Sequence, residues 1–182
     1  MNTNLFETKI FKYNSSSKNK ILDYINQIKF NNHKLVEQGL STYDFILEYQ
    51  KYPFLSNIVK KFKKEAGKDY YLLDLWCNVY NKNGYVKEHN HHDTCNNMLK
   101  NIPQISGVYN IKKPVNSGDL ILDGHKTNLK EDECILFDSR INHSSTPNLS
   151  EDTRIIFSIN MAYKVERKWN EDYTNSHFLN HI

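Results

Sequence analysis

Beyond residue 70 the hydrophobic spacing of this 182-residue chain changes, and that change limits its fold more than any other feature. "YYLLDLWCNVY" (70–80), "QISGVYNIKK" (104–113), "GDLILDG" (118–124), "ECILFDS" (133–139) and "TRIIFSINMAY" (153–163) are runs of β-branched and aromatic residues divided by Gly, Pro, Asn and Asp clusters. Short strands with a turn about every 8–12 residues make a sandwich or barrel, and a jelly roll is the natural candidate. Ahead of residue 70 the period is mostly helical. "LFETKIFKY" alternates as a strand, after which Ile21, Leu22, Ile25 and Ile28 predict a helix near 17–30. A polar loop to about residue 52 follows, then a second amphipathic helix with Pro53 in its first turn, Leu55, Ile58, Val59 and Phe62 on one face, and Gly67 at its stop. The expected organisation is one domain over 1–182: a helical part of about 1–68, a jelly-roll part of about 69–165, and a polar tail, 166–182. The fold class is mainly β, cupin-like, preceded by two N-terminal helices.

Composition narrows the function classes. Hydrophobic content is 38%, and twelve tyrosines and nine phenylalanines make a bulky part of it, which adds core volume per residue. No stretch approaches the roughly 18 apolar residues of a membrane helix, and "MNTNLFETKIF" lacks a signal-peptide layout, so a cytoplasmic protein without a membrane partner is expected. Cys77, Cys95 and Cys134 are odd in number and form no CxxC, which reads as free thiols in a reducing compartment. The net charge of +3 comes with scattered lysines and does not indicate nucleic acid.

"GYVKEHNHHD" (84–93) crowds metal-capable side chains just after a strand. Residues two apart share a side of a strand, so His89 with His91, or His91 with Asp93, forms a pair able to hold adjacent positions on one ion. His143, in "ILFDSRINHSSTPN", is the candidate third ligand. Three ligands on one face leave three positions open, and nitrogen and carboxylate donors of this kind suit Fe(II). Arg154 opens "RIIFSIN", where alternation places Arg154, Ile156, Ser158 and Asn160 on one side. A guanidinium aimed into a barrel needs an anion, and its planar fork matches a carboxylate. The plain alternative pairs Arg154 with Glu151 or Asp152 at the surface.

Together these residues resemble the iron- and 2-oxoglutarate-dependent oxygenases, and more narrowly a small group of them from bacteria and their phages. The resemblance runs over most of the chain: "LFETKIF", the Trp-x-Asn of "WCNVY", the His-x-His of "HNH", "SGVYNI", "SGDLILDG", "ILFDSRINHSSTPN" and "RIIFSIN", seven segments in order. It implies a double-stranded β-helix and favours His89, His91 and His143 as ligands. Asp93 is the rival second ligand, since the wider superfamily more often uses His-x-Asp. It further implies that Arg154 grips the far carboxylate of 2-oxoglutarate with Tyr80 and Ser158 in support. Tyr109 and Asn78 are second-rank candidates for the pocket wall, and Trp76 reads as structural. The implied activity is hydroxylation by Fe(II), oxygen and 2-oxoglutarate, with ascorbate stimulatory, in the cytoplasm (the host's, if phage-encoded). The substrate stays open between protein side chain, metabolite and nucleotide. The loop "HDTCNNMLKNIPQ" (92–104) departs from the group's short connection, and it and region 31–52 are the segments expected to meet substrate. Two other readings stand beside this one. They are a non-catalytic cupin-like binding module and a phage interaction protein stabilised by zinc, with Cys95 or His92 as fourth ligand.

Overall fold

A computed structural model describes residues 6–43, 47–91 and 104–163. In chain order the elements are β1 (Lys9–Lys12), α1 (Lys18–Ile25), β2 (Val36–Ser41), α2 (Pro53–Ala66), β3 (Tyr70–Val86), β4 (Ile105–Lys112), β5 (Leu120–Leu122), β6 (His125–Lys126), β7 (Glu133–Asp138), β8 (His143–Ser145) and β9 (Arg154–Tyr163). They form two antiparallel sheets, a larger one in the order β1-β7-β4-β9-β3-β2 and a smaller one in the order β6-β5-β8.

Both faces of the larger sheet are covered. One face carries the helices: Ile21 and Ile25 of α1 and Leu55, Ile58, Val59 and Phe62 of α2 pack on Leu75, Cys77, Ile105, Phe157 and Ile159. The other face meets the smaller sheet through Tyr80, Val108, Leu120, Phe137 and Ile156. Strand parity decides which residue goes where. Odd-numbered β9 residues (Ile155, Phe157, Ile159, Met161) face the helices, and even-numbered Ile156 faces the smaller sheet. Gly107 lets α2 come close, since a Cβ there would lie 2.7 Å from Phe62 Cε1 and 2.8 Å from Ile159 Cγ2.

The helices sit where the periodicity placed them, with differences at the edges. Pro53 opens α2 and Gly67, at φ 116°, closes it. α1 is shorter than the 17–30 span and ends at Asn26. Between the helices runs β2, in the stretch read as a polar loop. It buries only Val36 and Ser41 and is broken by a register shift between Glu37 and Gly39, with Gln38 at positive φ. Such a strand has no alternation to read. Buried Cys77 and Cys134 are free thiols, whereas Cys95 and the tail 166–182 lie outside the described residues.

The turn after β7 fixes the approach to β8. Asp138, 3% exposed, accepts from Arg140 Nε at 2.8 Å, Arg140 Nη2 at 2.9 Å, and the backbone N–H groups of Arg140 and Phe6. Burial alone would raise its pKa, but these donors outweigh it and hold the carboxyl at about 2. An acid whose pKa falls on folding stabilises the fold above its unfolded pKa, 3.8, and that contribution is lost as pH drops through 2. Asp138→Asn is therefore expected to lower unfolding free energy by about 2 kcal/mol at pH 7, with the gap to wild type closing near pH 2. Urea melts at the two pH values measure it.

Candidate active site

β3 runs past its partner β9 and delivers the chain to His89, whose backbone pairs with His143 in an isolated antiparallel bridge. The two exchange N–H···O bonds of 3.0 and 2.8 Å, and His91 N–H donates to the Ser139 carbonyl at 3.0 Å. Main-chain bonds thus clamp the middle and late histidine segments together. His91 Nε2 and His143 Nε2 are 3.2 Å apart, and one ligand atom from each of His89, His91 and His143 lies within 4.8 Å of the others. Nitrogens bound at about 2.1 Å to one ion sit about 3 Å apart when adjacent, so the spacing suits a shared metal.

Local contacts prepare two of these rings. His89 Nδ1 lies 2.8 Å from the Lys87 carbonyl and His143 Nδ1 lies 3.0 Å from the Ile141 carbonyl. A carbonyl only accepts, so the proton belongs on Nδ1 and each Nε2 is left with its lone pair, the arrangement of a metal-binding histidine. Burial lowers the pKa of all three. His143 falls to about 3 with His89 adding to the effect, and His91 drops well below its ordinary value. Neutral imidazoles are the form that binds metal. Asn160, beyond the sequence expectations, places its amide 3.4 Å from His91 Nδ1 while its Oδ1 accepts from Ser106 Oγ at 2.9 Å.

A cavity of about 230 Å³ opens beside the rings, and Asn78, Tyr80 and Ser158 line it. Behind them is Arg154, 1% exposed, on the same face of β9 as Ser158. It is not at the surface with Glu151 and Asp152, which meet Lys82 and Lys112. Among the described residues no carboxylate lies within ion-pair distance of it. One Nη bonds Asn110 Oδ1 at 3.2 Å, the guanidinium carbon stands 5.8 Å from the Tyr80 ring centre, and Nε has no hydrogen-bond partner among the described residues. Among the described residues the Tyr80 hydroxyl is also buried without a hydrogen-bond partner, as is Asn78 Oδ1. Burial pushes the Tyr80 phenol up to about 12 against the pull of Arg154, so it stays a donor. Burial lowers the pKa of Arg154, with Tyr80 and Asp119 opposing, yet a guanidinium stays charged in a protein.

The structure therefore brings together His89, His91, His143, Asn78, Tyr80, Ser158 and Arg154. It does not bring Tyr109 to them. Register places that side chain on the helix face, where its ring meets Tyr13 at 5.3 Å and its hydroxyl donates to Asp132 at 3.2 Å. Trp76, expected to be structural, shares the parity of Asn78 and Tyr80, lines the cavity and stands 5.7 Å from His91. Asp93, His92 and Cys95 lie outside the described residues, and among the described residues the cluster stops at three ligands.

Two packed antiparallel sheets of this kind are the fold of several solved structures to which this chain is similar. A prolyl-4-hydroxylase from Pseudomonas putida matches with a TM-score of 0.62 and 12% identity, covering 86% of this chain and 92% of that one. HygX from Streptomyces hygroscopicus, solved with nickel and 2-oxoglutarate bound, gives 0.63 and 9% over 86% and 82%. The α-ketoglutarate-dependent epimerase SnoN of nogalamycin biosynthesis gives 0.65 and 9% over 86% and 77%. At these identities the likeness is one of fold, and a hydroxylase and an epimerase share it. No protein-family model matches the sequence, and neither does any curated protein.

Proposed function

We propose that the protein is a 2-oxoglutarate- and Fe(II)-dependent dioxygenase of the hydroxylating type. The observation that carries this reading is Arg154, a buried guanidinium on the histidine side of the sheet with a donor to spare and, among the described residues, no carboxylate within ion-pair distance. An isolated buried charge is unfavourable by several kcal/mol unless an anion meets it, and the neighbouring Tyr80 hydroxyl is a second donor of the right kind for a carboxylate.

His89, His91 and His143 would hold the metal through their Nε2 atoms, with the Lys87 and Ile141 carbonyls fixing two of the rings. Arg154 and Tyr80, with the Ser158 hydroxyl, would receive the far carboxylate of 2-oxoglutarate and so orient its keto acid end toward the histidines. When bound, metal, oxygen and 2-oxoglutarate supply the oxidising power, through decarboxylation of the co-substrate to succinate. Val108, Phe137 and Ile156, apolar and buried, keep water from the inner wall. Ascorbate serves as the assay reductant, and the prime substrate belongs to one of the classes left open by the sequence. Among the described residues the cluster has three ligands, whereas a structural zinc is ordinarily closed by four. The test is conversion of 2-oxoglutarate to succinate by the Fe(II)-loaded protein. Turnover above the rate of free Fe(II) is expected. No turnover, together with no binding of 2-oxoglutarate, rules the reading out.

A further inference from the structure

The mouth of the cavity suggests what the enzyme acts on. The deep wall (Asn78, Tyr80, Val108, Phe137) is buried, whereas Lys34 and Tyr43, on the same lining, are exposed, Tyr43 to 43%. Each water in the liquid takes about 30 Å³, so a cavity of about 230 Å³ that already holds a dicarboxylate has room for only the reacting end of a second molecule. Recognition then falls to the rim. There the rings of His33 and Tyr43 are 5.1 Å apart, Tyr43 meets Trp76 edge-on at 5.2 Å, and Trp76 reaches the histidine cluster.

Charge selects among molecules that fit such an aromatic rim. Among the described residues neither Asp nor Glu lines the cavity. The Lys34 ammonium has no ion-pair partner among them either, Glu37 being engaged by Lys87. The three imidazoles are neutral ligands. A divalent ion and one guanidinium set against the 2-oxoglutarate dianion leave a positive charge that nothing among these residues cancels, and Lys34 adds another at the mouth. From these residues a cationic substrate would meet repulsion, whereas an anion gains at both places. We propose that the prime substrate is a small oxyanion with an apolar or aromatic body, its charged group received by Lys34 and its body lying on Tyr43 and Trp76. This rests on the dioxygenase reading of the site.

The probes are phenylacetate, phenyl phosphate and neutral phenylacetamide, added to full-length protein loaded with Ni(II) and saturating 2-oxoglutarate so that the Arg154 end is occupied. Paramagnetic broadening of the ring protons reports binding near the metal. The anions are expected to bind at least about tenfold more tightly than the amide, with the preference shrinking as salt is raised. The order of phenylacetate and phenyl phosphate identifies the favoured oxyanion. Lys34→Gln should remove most of the preference and Lys34→Arg retain it, while Tyr43→Ala weakens all three probes alike. Equal binding of anion and amide, binding of none of the probes, or indifference to Lys34→Gln, in protein that still takes up 2-oxoglutarate, overturns the inference. Failure to take up 2-oxoglutarate is a different result and removes the reading of the site beneath it.

Discussion

His143→Ala is expected to strip the protein of its metal while leaving it folded. Removing an outer partner of a metal-bound histidine already weakens binding by about 10–100-fold, so losing a ligand outright should weaken it by at least about 100-fold. The fold should tolerate the change because β8 is held by main-chain bonds to β5 and to His89, which the substitution leaves in place. Among the described residues its ring neighbours are the other two histidines and Phe137, 5.0 Å away, and outside the cluster its Nδ1–H donates to the Ile141 carbonyl. Isothermal titration with Ni(II) gives the affinity, and circular dichroism checks the fold. Metal binding unchanged from wild type would remove His143 from the site.

Arg154→Met is expected to move stability and co-substrate affinity in opposite directions. Without 2-oxoglutarate, Arg154 is a buried charge whose direct contacts among the described residues are Asn110 and the Tyr80 ring, with Asp119 acting from beyond ion-pair distance. Replacing a buried ionic group with an apolar side chain of similar size is often stabilising by about 1–4 kcal/mol, and the low end applies here because the Asn110 oxygen loses its donor. A higher melting temperature for the unliganded variant is therefore expected. Affinity for 2-oxoglutarate should fall by roughly 2–5 kcal/mol, some 30-fold to several thousand-fold, as when one partner of a buried charge pair is removed. Metal binding should stay near wild type. An arginine serving only structure would give the reverse pattern, with lower stability and unchanged co-substrate binding.

Strand alternation made much of this legible in advance. Arg154, Ser158 and Asn160 share a face because β9 is regular along that stretch, and the aromatic and β-branched residues between them announce a strand. His89 and His91 drew attention by spacing, and His143 by its place after a strand and before Pro147. Tyr109 was misplaced for a physical reason. Both faces of β4 are buried, Ser106, Val108 and Asn110 on one and Ile105, Tyr109 and Ile111 on the other, so hydrophobicity gives no sign of which side faces the smaller sheet. Trp76, read as structural, is buried and also lines the cavity, in keeping with its parity with Asn78 and Tyr80. Neither Asn110 nor Asn160 stands out in a chain rich in asparagine, and only their contacts to Arg154 and His91 single them out. β2 was hidden because a bulged edge strand with two buried residues resembles a loop.

Crystals grown with Ni(II) and 2-oxoglutarate, with anomalous data locating the ion, test the central claim most directly. The expected map places the metal about 2.1 Å from Nε2 of His89, His91 and His143, with a carboxylate of the diacid on the Arg154 guanidinium and the Tyr80 hydroxyl. An ion bound elsewhere, an ion closed by a fourth protein side chain, or a diacid that avoids Arg154 would contradict it.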